Sequence, residues 1–218
     1  MSKNRKQQRS TGDNQPKVDK DSNPASIHFL SAKDWFTMVA ILLFTFLCFS
    51  NVKKYEFVNW DDDKNFYENE LITSLNKENF WKNSKQIFKE QVIGNYNPLT
   101  IWTFALEHRH YGKGEYNGLQ HPGKWHMTNV YLHLICVFFV FLISRRLGLK
   151  IWGAALVTTL FAIHPLRVES VAWVTERKDV LFGSFYLAAM WLYIKNREKS
   201  GFFNSILIYC FFILSLFS

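Results

Sequence analysis

The chain has 218 residues, 48% of them hydrophobic, with 21 Phe, 8 Trp and a formal net charge of +8. The length suits one domain, and the basic excess would suit nucleic acid. The basic residues instead gather beside the ends of apolar blocks, with no recognition-helix or base-stacking pattern, so nucleic acid is excluded and membrane lipid is the expected partner.

Residues 1–26 hold no aromatic residue and no aliphatic periodicity, which predicts a disordered cytoplasmic tail. Residues 27–218 then read as an all-α membrane protein, the N-terminal part of a multi-span domain. Spans are expected at about 30–50, 127–144, 151–163, 180–194 and 202–217. The first span follows a tail longer than a signal-peptide n-region and precedes no A-x-A site, so it is expected to stay as an uncleaved anchor. The chain stops at the edge of the fifth span, which predicts a fragment of a longer protein. Cys48, Cys136 and Cys210 each lie inside an apolar block and imply no disulfide framework.

Lys and Arg outnumber Asp before the first span, which places the N-terminus in the cytoplasm. The basic connectors RRLGLK and KNREK then fall on the cytoplasmic side as well. The loop 51–125 and the segment 164–179 share the opposite face. Within the loop, KENFWKNSKQIF has the spacing of an amphipathic surface helix. Asn97 is expected as an N-cap with Pro98 at the first position of an apolar helix, Leu99 to Leu106. The turn-rich GKGEYNGLQHPGK that follows is expected to be flexible.

Two constellations on that shared face carry charge. In FVNWDDDKNFYEN, residues 57–69, the aspartates Asp61, Asp62 and Asp63 read either as an acidic, helix-capping turn or as a general base. Carboxylates crowded beside lipid hold protons more tightly, which suits proton abstraction from a hydroxyl. In HPLRVESVAWVTERKD, the stripe Val168, Val171, Ala172 and Thr175 predicts an interfacial helix, with Asp179 capping the fourth span. Arg167, Arg177 and Lys178 read either as self-neutralised surface charges or as holders of a phosphate, with Glu169 and Glu176 fixing them in place. His108, His110, His121 and His126 match no strong metal spacing, so no metal site is expected. His126, Asn129 and His133 share one stripe of the second span and are expected to bond to neighbouring helices.

In order along the chain, FVNWDDDKNFYEN, NYNPLTIWTFALEHRHYG, WHMTNVYLHLICVFFVFLISRRLG and HPLRVESVAWVTERKDVLFGSFYL resemble the transmembrane O-mannosyltransferase family that carries tetratricopeptide repeats, including its bacterial homologues. The resemblance implies a GT-C-type fold. It also implies transfer of a sugar, mannose first, from a polyprenyl-phosphate donor to a protein Ser/Thr acceptor. The family's acidic pair falls on Asp61 and Asp62, its H-P-x-H-x-E segment on His164, Pro165 and Glu169, and its later R-x-D on Arg177 and Asp179. Arg167 stands where animal members have His, and Asn97 where many have Arg. No repeat period is visible within the chain.

The resulting expectation is an inverting glycosyltransferase. Asp61 or Asp62 takes the acceptor proton, and His164, Arg167, Arg177 and Lys178 hold the departing lipid phosphate. Glu169, Glu176 and Asp179 support them, and a divalent metal is left open. A periplasmic site on a bacterial inner membrane is favoured over the lumenal alternative by the Lys, Asn, Phe and Ile bias. The competing classes are a transporter or lipid-handling protein, which would carry charges inside its spans, and a membrane anchor for a repeat scaffold, whose loops would tolerate neutralisation.

Overall fold

The computed structural model describes residues 30–58, 60–75, 78–111, 122–197 and 201–218. The tail 1–26, His121 and most of GKGEYNGLQHPGK lie outside them. All regular structure among the described residues is helical, apart from an isolated bridge between Val92 and Asn95.

The apolar blocks form α1 (Ala32–Phe49), α5 (Pro122–Arg146), α6 (Ile151–Ile163), α8 (Arg177–Asn196) and α9 (Phe202–Leu216). The first loop forms a 3-10 turn (Ser50–Lys54), a π turn (Asp63–Tyr67), α2 (Glu70–Thr73), α3 (Phe80–Ile87) and α4 (Pro98–Tyr111). The segment 164–179 contributes α7 (Arg167–Ala172). α5 is the central helix, packing against α1, α6, α7 and α8, and α8 in turn carries α9.

Ala32–Lys54 and Pro122–Arg146 are long and apolar enough to cross a membrane. At about 1.5 Å per residue, their 23 and 25 residues span the roughly 30 Å of a hydrocarbon core. α6 and α9 are equally apolar but have 13 and 15 residues. Large apolar side chains face outward, among them Phe36 and Leu47 on α1, Trp152 and Leu160 on α6, and Phe202 and Tyr209 on α9. Polar ones face inward, including Thr45, His133, Thr158 and Ser184. That inversion fits lipid rather than water around the helices.

α1 and α5 run antiparallel. Near one end, Asp34 caps α1 through Ser31 and pairs with Arg145 at 2.7 Å. The chain there turns through Gly148, whose φ of +89 allows the Leu149 N–H to reach the Ser144 carbonyl. At the other end Gly123 meets the carbonyl of Lys53 so closely that a Cβ would lie 2.0 Å from its oxygen.

Three local expectations are corrected. Pro122–Lys124 are not a flexible turn but open α5, because Pro is preorganised for a first helical position. α4 continues past Leu106 to Tyr111, and its Leu99 N–H is taken by the Phe217 carbonyl; the Asn97 amide oxygen is left without a partner. The interfacial helix after Pro165 ends at Ala172. Trp173 is extended, and the chain is drawn away to bond elsewhere, so Asp179 lies inside the first turn of α8 rather than capping it.

The close approach at Gly123 predicts that Gly123→Ala lowers the thermal melting midpoint of the detergent-solubilised protein, at a cost of about 1–3 kcal/mol for overpacking against backbone. Gly153→Ala, where the nearest atom to an added Cβ is at 3.8 Å, keeps or raises the midpoint, since Ala favours a helix over Gly by about 0.5–1 kcal/mol.

Candidate active site

The structure separates the aspartate triplet by environment. Asp62 is fully buried. Its Oδ1 accepts from the Trp173 indole N–H at 3.0 Å, the Thr175 N–H at 3.1 Å and the Thr175 hydroxyl at 2.5 Å, and its Oδ2 accepts from the Val58 N–H at 2.9 Å. A carboxylate so enclosed is tolerated only when its lone pairs are filled. Asp63 accepts from the N–H of Lys64 at 2.8 Å. Asp61 is half-buried, and among the described residues its carboxylate has no side-chain or backbone donor; only its main-chain carbonyl is used, by Asn65.

The loop also holds Tyr67, whose phenol is pushed above its ordinary value by desolvation and by Asp63, Glu68 and Asp62. The exposed Trp60 sits beside Asp61 in sequence. Asp61 therefore lies on a turn held by the buried Asp62 beside it.

Arg177 is also fully buried. Its Nε donates to Asn129 Oδ1 at 3.0 Å, Nη1 to Glu107 at 2.5 Å and Nη2 to the Trp125 carbonyl at 3.1 Å, while the guanidinium lies 4.2 Å from the Phe104 ring centroid. Three of its N–H groups are engaged inside the protein, so the structure places this expected phosphate holder away from the surface. Glu107, which sequence reasoning passed over, is its counter-ion and also accepts from Thr128. The available signal was a lone acid on an apolar helix.

The other expected cations lie nearer the surface. His164 is exposed, its Nδ1 accepting from the Leu166 N–H at 3.3 Å. Arg167 rests over Phe161 at 4.7 Å. Lys178 pairs with Glu176 at 3.0 Å. Glu169 is exposed, and Asp179 accepts from Ser170 at 2.9 Å. Asp62 thus brings the first loop and the 164–179 segment together, through Trp173 and Thr175 rather than through the expected cations.

The stripe on α5 completes the junction. His126 Nδ1 meets the Ala172 carbonyl at 2.6 Å, Asn129 donates to the Trp173 carbonyl at 2.8 Å, and His133 Nε2 meets the Ala162 carbonyl at 2.8 Å. Among the described residues, no three His, Cys, Asp or Glu side chains converge as a metal site. Among the described residues the Asp61 carboxylate is unpaired on a half-buried turn, an arrangement that can accept a proton from a hydroxyl.

No family model matches the chain, and no solved structure matches it. The chain is similar to several curated proteins. It is 30% identical over 136 residues to Protein O-mannosyl-transferase TMTC3 of Mus musculus, across 62% of this chain and 14% of that protein. It is 27% identical over 194 residues to Protein O-mannosyl-transferase Tmtc1 of Drosophila melanogaster, across 85% of this chain and 21% of that protein. It is 33% identical over 120 residues to Protein O-mannosyl-transferase TMTC4 of Homo sapiens, across 49% and 15%. The chain therefore spans about a fifth or less of the length of these relatives.

Two outcomes follow from the site's geometry. Asp62→Ala strands four donors and lowers stability by about 3 kcal/mol or more, while Asp61→Ala leaves the melting midpoint within about 0.5 kcal/mol, both read by thermal unfolding in detergent. Burial holds His108 below its ordinary value. The unfolded chain then binds the proton more readily, so stability falls as pH drops through the histidine range, and His108→Gln flattens that part of the melting-midpoint profile.

Proposed function

We propose that this chain belongs to the protein O-mannosyltransferase family it resembles, and that it forms part of a multi-pass membrane glycosyltransferase. The enzyme moves a sugar, mannose first, from a polyprenyl-phosphate donor to a Ser or Thr hydroxyl of a protein acceptor. The N-terminus lies in the cytoplasm, and the first loop and the 164–179 segment lie on the periplasmic or lumenal face. Several features support this reading: the similarity to proteins named O-mannosyl-transferases, the two helices of crossing length, and the gathering of Asp34, Arg145 and the RRLGLK turn at one end of the bundle.

The single observation that carries the mechanism is the contrast between Asp61 and Asp62. Asp61 is the carboxylate left free to work, and Asp62 clamps the turn that presents it. Asp61 accepts the acceptor's proton as the hydroxyl oxygen attacks the anomeric carbon. The new C–O bond forms as the bond to the lipid phosphate breaks on the opposite face, so the sugar inverts. The negative charge that develops leaves on the phosphate. In this reading His164, Arg167 and Lys178 of the 164–179 segment meet that charge with their N–H donors. Arg177, together with Glu107 and Asn129, fixes the start of α8 that carries Lys178.

The test is transfer from mannosyl polyprenyl phosphate to an acceptor protein by the full chain in membrane vesicles. Asp61→Asn is expected to lower the rate by about 10²–10⁴-fold with the melting midpoint unchanged, the contribution of a positioned general base. Transfer at the unsubstituted rate in a folded Asp61→Asn protein removes Asp61 from the reaction.

A further inference from the structure

The extended stretch that anchors Asp62 begins at a second feature. Where the chain leaves the Ser50–Lys54 turn, a groove of about 590 Å³ opens between that turn and the start of α5. Lys53, Lys54 and Glu56 from the turn and its exit line it together with Lys124 and Tyr131 of α5 and Tyr111 at the end of α4. Three lysines and one glutamate thus line it. All three lysines are exposed, and among the described residues none has a carboxylate partner. Lys124 lies 4.8 Å from the Tyr111 ring centroid.

The lysines are held together by backbone rather than by chance of rotamer. The contact between Gly123 and the Lys53 carbonyl presses the turn against the first turn of α5. That brings Lys53 and Lys124 to the same groove. The N–H groups that open a 25-residue helix add positive potential beside them. Surface pairing does not neutralise the cluster, and on the orientation proposed above the positive-inside rule does not call for it at this end of the helices. The groove lies at the ends of the two helices long enough to cross a membrane, and Tyr55, Tyr111 and Tyr131 are partly exposed around it, as aromatic side chains are at a headgroup layer.

We propose that this groove binds the anionic phosphate of a lipid headgroup. The lysines supply charge-assisted donors, the N-terminal end of α5 adds its dipole's positive potential, and the ligand's apolar chain continues along the bundle. The site is distinct from His164, Arg167 and Lys178, and it does not depend on Asp61 acting as a base.

The experiment uses the full chain in dodecyl maltoside, titrated separately with undecaprenyl phosphate, phosphatidylglycerol and inorganic phosphate, with binding read by native mass spectrometry and calorimetry. At least one ligand is expected to bind. The triple variant Lys53→Gln, Lys54→Gln, Lys124→Gln should lose about tenfold or more in affinity, whereas the triple Lys→Arg variant keeps it within about threefold, since the charge remains. Tighter binding of either lipid than of inorganic phosphate identifies a headgroup. Equal binding of inorganic phosphate identifies the same chemistry from a soluble source. Asp61→Asn should bind as the unsubstituted chain does, even where transfer is lost. Undiminished affinity in a folded triple Gln variant, or no binding in any arm, overturns the proposal.

Discussion

The buried carboxylate of Asp62 is the constraint on which the rest of this face depends. A charge taken wholly out of water costs several kcal/mol unless it is matched, and here four donors from two distant stretches match it. The loop has one position in which Val58, Trp173 and Thr175 all reach the same side chain. Arg177 imposes the mirror condition two residues beyond Thr175. It is equally buried, and Glu107, Asn129 and Trp125 close around it. The stretch Trp173–Arg177 is therefore gripped by a first-loop acid on one side and by α4 and α5 on the other. Removing one partner from such a pair is costly because the other charge stays behind.

The long helices were legible because long apolar blocks decide the matter by composition. A segment that must satisfy every backbone group internally becomes a helix wherever enough apolar residues follow one another. The blocks ending at Ser50, Ser144, Ile163, Ile194 and Phe217 accordingly match α1, α5, α6, α8 and α9 to within a few residues, except at the start of α5, where Pro122 opens the helix earlier. The stripe of His126, Asn129 and His133 was legible for a related reason, since polar groups on an apolar helix turn toward neighbouring backbone.

The loop chemistry was not legible in the same way. Asp61, Asp62 and Asp63 are chemically identical in a row, and the donors that single out Asp62 come mostly from partners more than a hundred residues away. The apolar stripe through Thr175 predicted a longer helix than α7, because the pattern cannot show that Thr175 is claimed by Asp62. Arg177 looked like a surface cation beside Lys178 and Asp179, since its counter-ion Glu107 lies on another helix. Asp34 and Arg145 escaped notice for the same reason. In each case the residue type was visible and its tertiary partner was not.

Separating the charges that hold from those that are free gives the face its chemical sense. Adjacent side chains leave a turn in different directions, so the burial of Asp62 dictates that Asp61 does not share its pocket. The same strap serves both ends. Tyr55–Val58 runs from the lysine-lined turn to the N–H that Asp62 holds. Asp62 thus fixes, through one short segment, both a free carboxylate and part of the lining of a cationic groove. A flexible loop would let an acid and three lysines collapse onto each other as surface ion pairs. In this one, among the described residues, Asp61, Lys53, Lys54 and Lys124 form no ion pair.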